Sequence, residues 1–169
     1  MLFLLDANVL IDANRDYYSI DSVPEFWDWL AYHGEQGNVK IPVEIYEELT
    51  NGDDELADWA KKPDTKTALL LGEDVEIEIV QRVIREGYAD DLTDIEVAQL
   101  GRDPFFIAYA LNEIPDIQRC IVTTESSKPS RNRANRHIPD VCRTFGIPCC
   151  NSFEFFKSLK FSTSWRAEL

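Results

Sequence analysis

At 169 residues with 44% hydrophobic side chains, the chain suits one domain with a packed core, which excludes a disordered chain. No apolar run approaches the roughly 20 residues that a membrane-spanning helix needs. Acidic residues outnumber basic ones 31 to 17, and the net charge of −14 is the reverse of an ordinary nucleic-acid binder's basic footprint.

Leu2 to Leu5 reads as a short buried strand, and Val9 to Asn14 as the start of the first helix. This opening run lacks a basic leader and carries Asp6, so it reads poorly as a signal peptide; the cytoplasm is the default expectation. Ser22 and Glu25 have capping-box spacing around Pro24, and Phe26, Trp29, Leu30 and His33 then form one apolar helical face, read as core. Gly34 and Gly37 close that helix. Val39 to Ile41 reads as a second strand. Pro42 opens a helix over Val43 to Thr50, ended by Asn51-Gly52, and another helix runs from about Asp54 to Lys61.

Between Asp74 and Glu86 two periods compete. Val75, Ile77 and Ile79 alternate as in a strand, while Ile79, Val80, Val83 and Ile84 repeat as in a helix; the helical reading is preferred, with Gly87 as its stop. Thr93 to Leu100 is a short helix broken by Gly101. Asp103-Pro104 starts a buried helix over Phe105 to Leu111. Cys120 to Thr123 is a strand, Ser126 to His137 a polar basic loop, Ile138 to Phe145 a helix closed by Gly146, and Pro148 to Cys150 a short strand. Asn151 and Ser152 cap a last helix containing Phe153, Phe156 and Leu159. The four cysteines, Cys120, Cys142, Cys149 and Cys150, have no CxxC spacing and read as reduced and structural. No repeat or linker divides residues 1–169, so a single domain is expected. Strands separated by helices predict an α/β fold, its parallel sheet of four or five strands covered on both faces.

In such a sheet ligands bind at the C-terminal ends of the strands. Asp6 ends the first strand, Glu48 lies on the helix after the second, Asp103 opens a buried helix, and Glu125 follows the strand Cys120 to Thr123. Carboxylates gathered on one rim repel each other, a penalty that a divalent cation removes; hard oxygen ligands suit Mg²⁺ or Mn²⁺ rather than zinc. Each acid also has a plainer use. Asp6 can cap the first helix, Asp103 is a good N-cap before Pro104, Glu48 shares a solvated face with Glu44 and Glu47, and Glu125 borders a loop. Glu47 rivals Glu48 as the inward acid.

These strings resemble a known family. Leu5-Asp6-Ala7-Asn8-Val9 looks like the opening of PIN domains, Glu48-Leu49 like their second acidic motif, Asp103-Pro104 with its Ala-containing helix like the third, and Val122-Thr123-Thr124-Glu125 like the fourth, with Glu for Asp. The likeness is nearest to an uncharacterised PIN-like group that also resembles this chain at Phe26-Trp27-Asp28-Trp29-Leu30 and Ile138-Pro139-Asp140-Val141-Cys142. VapC-type toxins are better-understood relatives of that group.

The resemblance implies a three-layer α/β/α sandwich and a Mg²⁺- or Mn²⁺-dependent endoribonuclease. Asp6, Glu48, Asp103 and Glu125 would be its metal ligands and catalytic residues, with Asn8, Thr123 and Asp140 in support. The implied partners are an RNA substrate, an antitoxin protein and a second copy of the chain. Lys128, Arg131, Arg133 and Arg136 of the basic loop are the expected RNA-backbone contacts. With only His33 and His137 in the chain, a histidine acid–base ribonuclease is disfavoured. Asn8, where a second Asp would stand, disfavours a haloacid-dehalogenase-type phosphatase. The non-enzyme alternative is an inactive PIN-like scaffold that binds RNA or a partner protein.

Overall fold

A computed structural model describes residues 1–112 and 117–168. Its centre is β1 (Leu2–Leu5), four apolar residues buried on both faces of a sheet. β1 pairs in parallel with β2 (Val39–Lys40) on one side and with β3 (Arg119–Val122) on the other; β4 (Cys149–Cys150) adds to β3. The strand order is β2-β1-β3-β4, all parallel. The chain therefore leaves β1 toward β2 on one side and returns across β1 to β3 on the other. The topological switch point lies between β1 and β3, the place where open α/β sheets generally bind ligands.

Ten α-helices among the described residues flank the sheet in a three-layer α/β/α arrangement: α1 (Ala7–Asp12), α2 (Pro24–Glu35), α3 (Val43–Thr50), α4 (Glu55–Lys61), α5 (Pro63–Leu69), α6 (Ile77–Arg82), α7 (Asp94–Leu100), α8 (Asp103–Leu111), α9 (Ile138–Phe145) and α10 (Ser152–Ser158). α1 runs on into a π-helical turn, Ala13–Tyr17, and α6 into another, Val83–Tyr88. No helix among the described residues is long and apolar enough to cross a membrane. The four cysteines are free thiols.

Several local readings change. The Ser22–Glu25 box is not made: α2 starts after Val23 with no side-chain cap. The capping boxes form at Thr93–Glu96 and Asn151–Glu154 instead. α5 has no counterpart in the sequence reading because its buried face is only Thr65, Ala68 and Leu69, too short for a periodic signal. Across 74–86 the helical period wins, since Val80 and Val83 are buried while Ile77 stays exposed. In α10 Phe155 and Phe156 face the core, and Phe153 is exposed against Tyr17.

The helical layer beside β2 leaves no room at Gly34. A Cβ there would lie 2.7 Å from the Ala68 carbonyl oxygen and 2.7 Å from a Leu69 methyl on α5. Alanine gains about 1 kcal/mol of helix propensity over glycine, but an overlap with backbone costs more, up to about 3 kcal/mol. Gly34→Ala is expected to lower stability by roughly 1–2 kcal/mol in urea unfolding. An unchanged or raised midpoint would show that α2 and α5 do not pack this closely.

Candidate functional site

Asp6 is the first residue past β1. Its amide donates to the Val122 carbonyl at 3.0 Å, so pairing with β3 fixes where its side chain starts. Asp6 is the N-cap of α1, yet no side-chain capping bond forms. Instead its Oδ2 accepts a 2.9 Å hydrogen bond from the Thr123 hydroxyl, and the Thr123 Oγ1 accepts from the Glu125 amide at 3.2 Å. Thr123, buried just past β3, thus links the two acids across the switch point. It acts as a positioning residue.

The electrostatics describe a shared volume. Burial pushes Asp6 up to about 6, helped by the charges of Glu48 and Glu125 and opposed by the Thr123 hydrogen bond. Burial pushes Asp103 up to about 7, with further contributions from Glu125, Asp6 and Glu48. The charges of Glu48 on α3 and Glu125 after β3 therefore bear on both Asp6 at the end of β1 and Asp103 on α8. Glu48 is raised by burial and drawn back by Arg102. Asp103 makes no capping bond in the first turn of α8, whose N-cap is Arg102, so its plainer explanation does not apply. Glu48, not Glu47, is the α3 acid whose charge reaches Asp6 and Asp103.

Two neighbours hold acids of this group. Arg102 Nε lies 3.5 Å from Glu48 Oε1, and its Nη2 lies 3.3 Å from Glu47 Oε2. Glu125 Oε2 accepts a 2.8 Å bond from the Ile138 amide at the start of α9, with His137 Nδ1 3.9 Å away. Among the described residues, no three His, Cys, Asp or Glu side chains converge tightly enough to hold one metal ion. The donor chemistry, all carboxylate oxygen, is of the kind that suits Mg²⁺ or Mn²⁺.

The remaining sequence candidates have other surroundings. Asn8 is exposed. Asp140 is buried and clasps the loop to α9: it accepts from the Ser127 hydroxyl and the Lys128 amide, and pairs with Arg143 at 3.3 Å. Those bonds hold it below the usual carboxylate range against its burial. Arg133 ties the loop to α7 through Glu96 at 2.7 Å and Asp91 at 2.6 Å, and Arg136 donates to the Gly87 and Asp140 carbonyls and the Thr144 hydroxyl. Lys128 and Arg131 are exposed, with no ion pair among the described residues. The sequence reading missed Arg102 and Tyr88 beside the acids; adjacency to Asp103 is the one signal that could have flagged Arg102.

A family model matches residues 3–163, a span that holds all four acids and every strand but for Leu2 of β1. The chain belongs to that family, described as Domain of unknown function (DUF4411). No curated protein matches the chain, and no solved structure does.

Proposed function

We propose that this DUF4411 chain is a Mg²⁺- or Mn²⁺-dependent endoribonuclease of PIN-like type, related to VapC-type toxins and working in the cytoplasm on RNA, with an antitoxin protein and a second copy of the chain as its further partners. The observation that carries the reading is a pair of buried acids far apart in sequence, Asp6 past the end of β1 and Asp103 in the first turn of α8, each raised by burial and further by the charges of Glu48 and Glu125. Buried carboxylates in mutual repulsion are costly, and such strained titrations gather at functional sites.

Asp6, Asp103, Glu48 and Glu125 are the residues that would hold the ion. Bound there, it would supply Lewis-acid polarisation of a phosphodiester and a more acidic bound water. The chain's own part is positional. Thr123 keeps one Asp6 oxygen turned toward β3, Asp103 is fixed in the first turn of a buried helix, and α9 orients Glu125 through the Ile138 amide.

The test is cleavage of single-stranded and structured RNA by the full chain with Mn²⁺, against a chelator control. Mn²⁺-dependent cleavage upholds the reading. The scaffold alternative is favoured by the pairing of Glu48 with Arg102 and of Glu125 with α9. It predicts RNA or protein binding with no cleavage under any divalent cation.

A further inference from the structure

One strand out from β1 and β3, the sheet's rim holds a cavity of about 260 Å³. Its lining runs from Thr123 and Glu125, just past β3, by way of Pro139 on α9 and Cys150 on β4, to Asn151 and Glu154 at α10. Thr123 and Glu125 also belong to the acid site. The Thr123 hydroxyl donates to Asp6 at 2.9 Å and accepts from the Glu125 amide at 3.2 Å. The cavity and the acid site therefore have these two residues in common, and a group that enters one lies next to the other.

Among the described residues no lysine, arginine or histidine lines this cavity, whereas Glu125 and Glu154 both do. A phosphate would meet two carboxylates and no cation there, so the lining selects against an anion. Thr124 and Ser126 add hydroxyls, and Pro139 and Cys150 add apolar or soft surface. Hydrogen-bonding groups set beside such surface are what an unstacked nucleobase needs. The volume falls below the roughly 300–1,000 Å³ of larger ligand sites, which matches one base rather than two.

Two of the polar side chains are held in place by each other's backbone. Asn151 Oδ1 accepts from the Glu154 amide at 2.9 Å, and Glu154 Oε2 accepts from the Asn151 amide at 3.0 Å. Each is anchored through one atom, so Asn151 Nδ2 and Glu154 Oε1 make no hydrogen bond among the described residues. Both residues are exposed, so a ligand can reach them. One donor and one carboxylate, already oriented, are thus left to a ligand, and little ordering is lost on binding. Among the RNA bases guanine alone presents two adjacent N–H donors, N1–H and N2–H, beside an acceptor, O6. A carboxylate receives two parallel N–H groups, as it does from arginine, and a carboxamide N–H suits O6.

We propose that this cavity is a guanine subsite for single-stranded RNA, in which the Glu154 carboxylate accepts from N1–H and N2–H and Asn151 Nδ2 donates to O6. A base held there stands beside Glu125, so the bond cleaved is one that flanks the bound guanosine. The assignment deepens the nuclease reading and rests on it. It also gives a chain of net charge −14 a way to select RNA by base edge rather than by a basic footprint.

The experiment uses the full chain and fluorescein-labelled single-stranded RNAs that differ only in carrying guanine, inosine or adenine at one position. Binding is read by anisotropy on an Asp6→Asn background so that the RNA stays whole; cleavage positions with Mn²⁺ are mapped on chains that keep Asp6. The guanine RNA is expected to bind about tenfold or more tighter than the adenine RNA, with inosine, which lacks the N2 amine, between them. Cleavage should fall at bonds next to guanosine. Glu154→Gln keeps an oxygen for the Asn151 amide and Asn151→Asp keeps one for the Glu154 amide, so the start of α10 stays capped in both. Glu154→Gln should erase the guanine preference and leave adenine-RNA binding within about twofold, and Asn151→Asp should weaken the preference. Equal binding of the guanine and adenine RNAs, or a preference that Glu154→Gln leaves intact, overturns the assignment even where RNA is cleaved. A Glu154-dependent guanine preference in a wild type that cleaves no RNA refutes the nuclease reading and leaves the guanine subsite standing.

Discussion

Asp6→Asn and Asp103→Asn are each expected to abolish Mn²⁺-dependent RNA cleavage while making the chelated protein more stable. The substitutions keep shape and remove charge. Asp6 is held up at about 6 and Asp103 at about 7, against an ordinary value of 3.8, so near neutral pH their ionised forms cost folding free energy. Each pKa unit corresponds to about 1.4 kcal/mol, and the two groups are coupled, so one amide should recover about 2–3 kcal/mol at pH 8 rather than the full separate shift. In Asp6→Asn the Thr123 hydroxyl can still donate to the carboxamide oxygen, so the β1–β3 link survives. Cleavage should fall about 1000-fold or more, because a lost ligand removes several kcal/mol of charge stabilisation in the transition state. Urea unfolding and a cleavage time course on the same preparations read both quantities. Activity persisting in both variants would remove this cluster from the chemistry, and a loss of activity accompanied by unfolding would attribute it to the fold.

That combination of lost activity and gained stability separates a site from a cap or a solvated face, which sequence alone could not do. Asp6 and Asp103 were legible as candidates because each stands at an element boundary, and those boundaries rest on strong local signals. An uninterrupted apolar tetrad makes β1, and the Asp-Pro pair starts α8. The limits of α3 and α9 were equally readable, from Pro42 and from Ile138 to the left-handed Gly146. α5 was not readable, since its inward face of three residues has no period, and no residue pattern marks the two π-helical turns.

The basic loop shows the same limit from the other side. Four cations close in sequence suggested one RNA-binding surface. Arg133 finds acids on or just before α7, and Arg136 reaches the Gly87 carbonyl, 49 residues away in sequence. Such long-range partners are invisible to composition. Arg102 was overlooked for the complementary reason: a lone arginine in a short connection carries no pattern until α3 is seen beside it. The acids are legible from their places at strand ends and helix starts, whereas Arg102 comes to light only with the packing.

Stability of the chelated wild type is expected to fall as pH rises from about 4 to about 7, opposite to a protein held by carboxylate ion pairs. The direction follows from proton counting. Asp6 and Asp103 hold their protons in the folded chain up to about 6 and about 7 and release them near 3.8 when unfolded. Between those values the folded state binds more protons, so stability decreases with pH. The loss begins above the unfolded value and is complete once pH passes the folded ones. Asp140 works the other way, lowered by its hydrogen bonds and by Arg143, but its contribution changes below pH 4 and so outside this window. Half-buried His33, whose pKa burial lowers, opposes the trend only weakly. A bound cation should reverse the slope, because protons and metal compete for the same oxygens. At a hundredfold excess over its Kd, Mn²⁺ should add about 2.7 kcal/mol, with the gain larger at pH 8 than at pH 5. Urea midpoints across pH, with chelator and with Mn²⁺, measure this directly. A chelated protein whose stability rises between pH 4 and 7, or a Mn²⁺ gain that Asp103→Asn leaves intact, would mean that these buried acids do not form a common cation site.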